Sequence, residues 1–543
     1  MRHLRVGILC AVLPLSVTAT AIPFVGPAAA QQPTMEDLLR RIDALQHRVD
    51  ELEGRDRKAK LSASAVHRAP TASQGPPAAH TVSAAPAPQP ALAAIPGLLP
   101  PEPMGHQYET GEGDDALRSD LPGLSIRIPG SQSEVRVYGF ANVNGYRDFN
   151  GRNQTDAPPA QTIPLANSPN ALQGGDFGLS ARFSRLGIDT RTLTSWGTLE
   201  TRLEGDFGGG AAVSTNAVFR LRQAWGELGT EQFRVLVGQA NSLWNEGVYE
   251  TVNFSTNLNQ SFVRQPQIRA TGTLAPGLTG QVSLEMPDTQ YTSAAGVFTQ
   301  ITTPAGFPGL SPAFTSLPDL VGRLSYSNNG LLLDMRGLLR ELSVRTEGTA
   351  AAPPALTRDA VGWGVAGTAR FPMRWLSAAF GPDELLGMAY YGQGIGRYFG
   401  GNTFGQDALS NIGLPGTTTD FTFDPLTTYG ATAAYRRFWT PQLRSNFVYS
   451  AAWQQYPSYA LMFMPGSSSA VFLNSSMQQA IANLIWSPFA ELRGNTVATG
   501  WLDVGLEYVY THRDVFGGSA ATGTAGSGFA TANRVLGSVT ARF

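Results

Sequence analysis

From Glu134 onward the chain alternates between polar and apolar positions. Thr198, Glu200, Arg202, Glu204 and Asp206 fall on one side of an extended segment, with Leu199, Thr201, Leu203, Gly205 and Phe207 on the other. Leu502, Val504, Leu506, Tyr508 and Tyr510 likewise alternate with Asp503, Gly505, Glu507, Val509 and Thr511. Phe219, Leu221 and Trp225 oppose Arg220 and Arg222. A period of two with one charged and one apolar side is the pattern of a half-buried strand. Sixteen such segments begin near 135, 176, 197, 219, 232, 266, 278, 319, 331, 360, 384, 427, 443, 477, 501 and 533.

Their connections mostly alternate in length. Long ones (148–175, 240–265, 286–318, 344–359, 395–426, 454–474 and 514–532) alternate with short ones such as Ala275-Pro276-Gly277, Asn328-Asn329-Gly330 and Thr440-Pro441. The stretches 372–383 and 487–500 are long for the short side and leave the count open by two. A soluble sandwich could share the alternation. The even count and the rhythm of loops and turns favour an all-β, sixteen-stranded antiparallel transmembrane β-barrel over 134–543. Trp225, Trp439, Trp486, Trp501, Tyr508, Tyr510 and Phe543 suit its aromatic girdles. The alternating end Val535 to Phe543, closed by an aromatic, resembles the signal read by bacterial barrel-assembly machinery.

Ahead of the barrel the grammar changes three times. Arg2 and Arg5, the apolar run Val6–Val17 and Ala28-Ala29-Ala30 form a secretory signal over 1–30, too short for a comfortable helical span. In 34–60, Met35, Leu38, Ile42, Leu45, Val49 and Leu52 recur in steps of three and four. That is coiled-coil spacing, and Arg48, Val49, Leu52 and Glu53 fit a pattern associated with trimers. A lone amphipathic helix would share the spacing, and fewer than three heptads need help to hold chains together. Residues 61–133 are rich in Ala, Pro and Ser and predict a partly extended, largely unstructured spacer.

Composition then removes alternatives. The 39 basic and 41 acidic residues leave no polycation, so nucleic acid is not an expected partner. Cys10, the single cysteine, lies in the signal, and His512 is the one histidine beyond residue 110. No multi-His metal site or cofactor is expected. A barrel hydrolase would have to place its base at His512, so an enzyme is disfavoured.

The motifs Val137-Tyr138-Gly139-Phe140, Ser184-Arg185-Leu186-Gly187, Glu204-Gly205-Asp206-Phe207 and Phe219 to Gly226 occur in order. Leu236-Val237-Gly238-Gln239, Arg264-Gln265-Pro266-Gln267-Ile268-Arg269, Asn483 to Pro488 and Gly505-Leu506-Glu507-Tyr508 follow them. In this order and spacing the chain resembles the DcaP-like trimeric porins of Gram-negative outer membranes. The resemblance implies a homotrimer set in outer-membrane lipid, with its coiled coil in the periplasm and small anionic solutes as cargo. One departure is that Asn253 precedes Phe254 where the family pattern has an acid, which bears on solute preference.

In general porins the third outer loop folds inward. Here that loop, Ala240 to Arg264, carries Asn241, Trp244, Asn245, Glu246, Glu250, Asn253, Asn257 and Asn259. It is expected to be a constriction; an exposed surface loop is the alternative. By parity Arg202, Arg220, Arg222 and Arg269, with Arg182 nearby, face it. Such a ring would favour anions, or it would brace the wall by pairing with Glu200, Glu204 and Asp206. Phe183-Ser184-Arg185-Leu186 breaks the alternation and leaves the facing of Arg185 open. The expected function is passive diffusion of small hydrophilic solutes, with a structural tether using the coiled coil as the alternative.

Overall fold

The computed structural model describes residues 124–543 except 152, 154, 211–216, 246–248, 253–256, 299–314, 346–355, 400–402, 418–419 and 494–495. The signal, the heptad positions Met35 to Glu53 and nearly all of the spacer lie outside the described residues.

One sheet contains eighteen strands. Two are short additions to the edges of β1, Leu124–Arg127 and Phe177–Ser180, which leaves sixteen around the barrel. The first eight are β1 Ser133–Asn150, β2 Arg185–Thr194, β3 Gly197–Asp206, β4 Arg220–Gly229, β5 Phe233–Asn241, β6 Arg264–Ala275, β7 Leu278–Glu285 and β8 Asp319–Asn328. The second eight are β9 Leu331–Arg345, β10 Thr357–Pro372, β11 Glu384–Gln393, β12 Thr427–Thr440, β13 Leu443–Gln455, β14 Asn474–Trp486, β15 Leu502–Val515 and β16 Phe529–Arg542. Every neighbouring pair is antiparallel, and β1 pairs with β16 from Phe140↔Arg542 to Asn150↔Asn533. The wall is closed, and no edge remains along that seam.

Fourteen of the sixteen strands begin within three residues of the positions expected from the alternation. β2 starts later because Ala181 to Ser184 interrupts it, with Phe177–Ser180 continuing the same line along β1. β16 starts four residues early. The two over-long connections prove to be turns with structure of their own. Residues 373–383 hold two short 3₁₀ turns, and 487–501 hold a small hairpin, Glu491–Arg493 with Thr496–Ala498.

Burial is inverted relative to a soluble barrel. Leu203, Val237, Ile268, Leu339, Val365, Phe447, Leu484 and Leu506 are exposed, whereas Glu204, Arg222, Arg336, Asn446, Glu507 and Arg534 are buried. Water lies on the inside of such a wall and hydrocarbon on the outside, which is how a barrel satisfies every backbone group in lipid. Among the described residues no helix is long and apolar enough to cross a membrane; here the strands would cross.

Candidate functional site: an inward loop and an arginine wall

The connection between β5 and β6 does not stay at the rim. Leu243, Trp244 and Tyr249 are buried against inward-facing Val321, Leu338, Leu386, Met388, Val448 and Ile481 of β8, β9, β11, β13 and β14. Trp244 has no exposed surface, and its ring meets Tyr398 and Phe399 edge-on at 6.1 and 6.3 Å. Although Trp244 stands among Asn and Glu residues in the sequence, it is the apolar anchor that draws the loop inside, and burying so large a ring is worth about 3–5 kcal/mol.

Polar contacts then fix the loop to the far wall. Arg336 donates to Trp244 O at 2.6 Å, and Arg323 donates to Asn245 O at 3.1 Å. Val252 N donates to Glu507 at 2.7 Å, and Leu258 N donates to Gln479 at 2.8 Å. Asn259, in the left-handed region at φ 66°, donates to the carbonyls of Ala431 and Ala451 at 2.9 and 3.0 Å and accepts from the Tyr390 hydroxyl at 2.9 Å.

Glu250 makes the strongest tie. Arg444 of β13 grips both its oxygens at 2.8 and 2.7 Å, and Arg436 lies 3.8 Å away. Burial pushes the Glu250 carboxyl up, but the Arg444 guanidinium outweighs it and holds the group down at about 2. Sequence parity could not have supplied Arg444, which stands 194 positions further along the chain. Glu246 and Asn253 lie outside the described residues.

The expected arginines divide into three groups. Arg220 and Arg222 both bind Asp206, at 2.5 and 2.6 Å, and Arg222 lies 3.3 Å from Glu204. Arg185, whose facing was open, points inward to Glu204 at 3.3 Å. Arg264, which the sequence reading did not place in the site, lies within electrostatic reach of Arg185, Arg220 and Arg222. Its enclosed Nη1 meets no acceptor. Among the described residues of this patch, four guanidiniums stand against the two carboxylates of Glu204 and Asp206.

Arg202 belongs to a lower shelf. It binds Asp189 in a fork at 2.8 and 3.0 Å and lies over the rings of Tyr138 and Trp225. The bulge opposite Glu204 and Gly205 admits Arg222 as an extra residue, so Trp225 turns inward to face Arg202. This corrects the girdle position expected of Trp225. Glu200 sits on the same shelf, opposite Glu227.

The third group is scattered. Arg182 turns to Asp156 of the first outer loop at 2.7 and 2.5 Å. Arg269 donates to Gln267 and to the Asn241 carbonyl rather than to a carboxylate. Phe543 closes the wall, its backbone exchanging hydrogen bonds with Gly139 at 3.1 and 3.2 Å. Among the described residues no group of His, Cys, Asp and Glu could hold a metal ion.

The family model described as DcaP outer membrane protein matches residues 123–298. That span covers β1 to β7, the inward loop and the arginine patch. The outer membrane channel DcaP of Acinetobacter baumannii superposes at a TM-score of 0.57 with 21% identity, over 76% of this chain and 97% of that one. Over those spans the chain is similar to both. With its closed barrel it has the fold of an outer-membrane channel. An anion-selective porin from Comamonas acidovorans is also similar, at TM-score 0.42 and 11% identity over 76% of this chain and all of that porin. OmpT of Vibrio cholerae aligns at 0.41 and 10% over 77% and 99%. No curated protein sequence matches this chain.

Proposed function

We propose that the protein is an outer-membrane porin, a homotrimer in outer-membrane lipid. In this reading each barrel passes small hydrophilic solutes by passive diffusion and prefers anions. The observation that carries the reading is the excess of guanidinium over carboxylate opposite an inward-clamped loop. The clamp holds residues 242–245, 249–252 and 257–263 toward β8–β15, and the arginines of β2, β4 and β6 stand on the opposite wall. Glu204 and Asp206 hold those side chains in place without neutralising all of them, so both the bracing and the anion-attracting roles are served. Guanidinium forks match carboxylates in geometry, which favours organic acids over simple halides. No step of this function calls for a nucleophile, a cofactor or a metal.

The remaining assignments follow the same reading. Phe543 completes the strand that the barrel-assembly machinery engages, and the heptads Met35 to Glu53 join three chains in the periplasm. The test is reversal potential in a planar bilayer under a potassium chloride gradient. Chloride preference is expected; a cation-selective or non-conducting trimer overturns the reading.

A further inference from the structure

The strand Leu124–Arg127 falls inside the stretch that composition assigns to the spacer. Ile128-Pro129-Gly130-Ser131 turns the chain back into β1, with Ser131 N donating to Ile128 O at 3.1 Å and Gly130 at φ 75°. Pro then Gly at the two central positions is the signature of a type II turn. The strand pairs with β1 from Leu124↔Val137 to Arg127↔Glu134, on the edge that β16 occupies from Gly139 upward.

This hairpin lies outside the membrane band. On β1 the outward aromatic Phe149 marks the loop end, and the Phe543 ring over Gly139 marks the turn end. The ten residue steps between them, at about 3.3 Å each and a tilt of about 40°, span about 25 Å, the full height of an apolar barrel belt. Residues 124–137 stand beyond it. Their outward side is nevertheless apolar. Leu124, Ile126 and Ile128 are 64%, 54% and 42% exposed, and Val135 and Val137 lie beside them. On the neighbouring strands the outer side carries paired hydroxyls, Ser133 with Thr192 at 2.9 Å and Thr190 with Thr201 at 2.7 Å. Aliphatic groups beside satisfied hydroxyls, below the lipid, suit another protein surface better than water.

We propose that this outer side of the N-terminal hairpin and the adjoining ends of β1 and β2 is a contact with a second copy of the chain. The segment carrying the heptads lies N-terminal to Leu124, so its joining point with the barrel is at this patch. A coil that gathers copies by their arms would bring these patches together, and each contact would reinforce a coil too short to hold alone. The inference rests on the homotrimer reading.

The full-length trimer tests it. The sole cysteine, Cys10, lies in the expected signal, so single cysteines at Ile126 and, within the belt, at Val539 can carry a bimane fluorophore in proteoliposomes. The label on Ile126→Cys is expected to resist both iodide and a brominated phosphatidylcholine, while that on Val539→Cys is quenched by the bromolipid. Ile126→Glu is expected to abolish the trimer in native mass spectrometry, with the strand signal in circular dichroism retained. Quenching at position 126 by either agent in a protein that is still trimeric overturns the contact and leaves the trimer standing. A protected label with an intact Ile126→Glu trimer also overturns it, because the cover would then be the chain's own arm. A monomeric wild type removes both readings.

Discussion

The Glu250–Arg444 fork is where residue chemistry governs the loop. The folded carboxyl lies below its ordinary value, so the fork contributes fully above about pH 4.5 and is lost as pH falls toward 2. The shift corresponds to roughly 3 kcal/mol. Single-channel conductance is therefore expected to hold from pH 7 to pH 4 and to become unsteady near pH 2. Glu250→Gln should bring that unsteadiness to neutral pH by leaving Arg444 without its main partner, at a cost of about 3–5 kcal/mol. On the opposite wall, Arg185→Gln with Arg222→Gln removes two of four positive charges. A unit charge about 8 Å from a passing ion in water is worth about 0.5 kcal/mol, so losing two shifts the anion and the cation by about 1 kcal/mol each in opposite senses, and the anion-to-cation permeability ratio should fall roughly thirtyfold. Parity alone placed Arg220, Arg222 and Glu204 on one side. It could not show that Arg182 and Arg269 bind elsewhere, because those partners come from a loop and from a carbonyl on another strand.

Among elements, the loop between β5 and β6 shows why strands are easier to read than the segments joining them. A strand announces itself every second residue, and the expected starts reproduce the ladder closely. A loop that packs inside a barrel has no period. Its one strong cue was Trp244, an indole in a stretch otherwise rich in Asn, and its burial partners come from five strands. Trp244→Ala is expected to release the loop from its apolar seat, with larger and noisier conductance steps in a bilayer and little change in the strand signal by circular dichroism. Trp225 illustrates the opposite limit. One extra residue in the β4 ladder reverses the facing of everything beyond it, and the alternation of residue types carries no mark of that insertion.

For the whole molecule, the decisive property is that the apolar side faces out. Ala433 is exposed on β12 between the outward aromatics Tyr429 and Trp439. Ala433→Arg should cost about 2–4 kcal/mol in denaturant unfolding from lipid vesicles. The seam makes a second demand. A Cβ on Gly139 would stand 2.9 Å from the Phe543 ring and 2.3 Å from the Arg185 carbonyl. Gly139→Val is expected to unseat the terminal ring and reduce the heat-resistant folded band on gels, although residue 139 itself only lines the outside of the wall.

That seam also sets the order of events in the cell. Asn142 bonds Ser538 and Thr540 at 2.9 and 2.8 Å, so the first strand acquires its final neighbour from residues 396 and 398 positions further along the chain. The wall cannot close before that strand emerges: β1 and the strands after it must be exported and kept from aggregating until β16 arrives. Loss of periplasmic holding chaperones should therefore deplete this protein before it slows the export of chains whose domains close as they emerge.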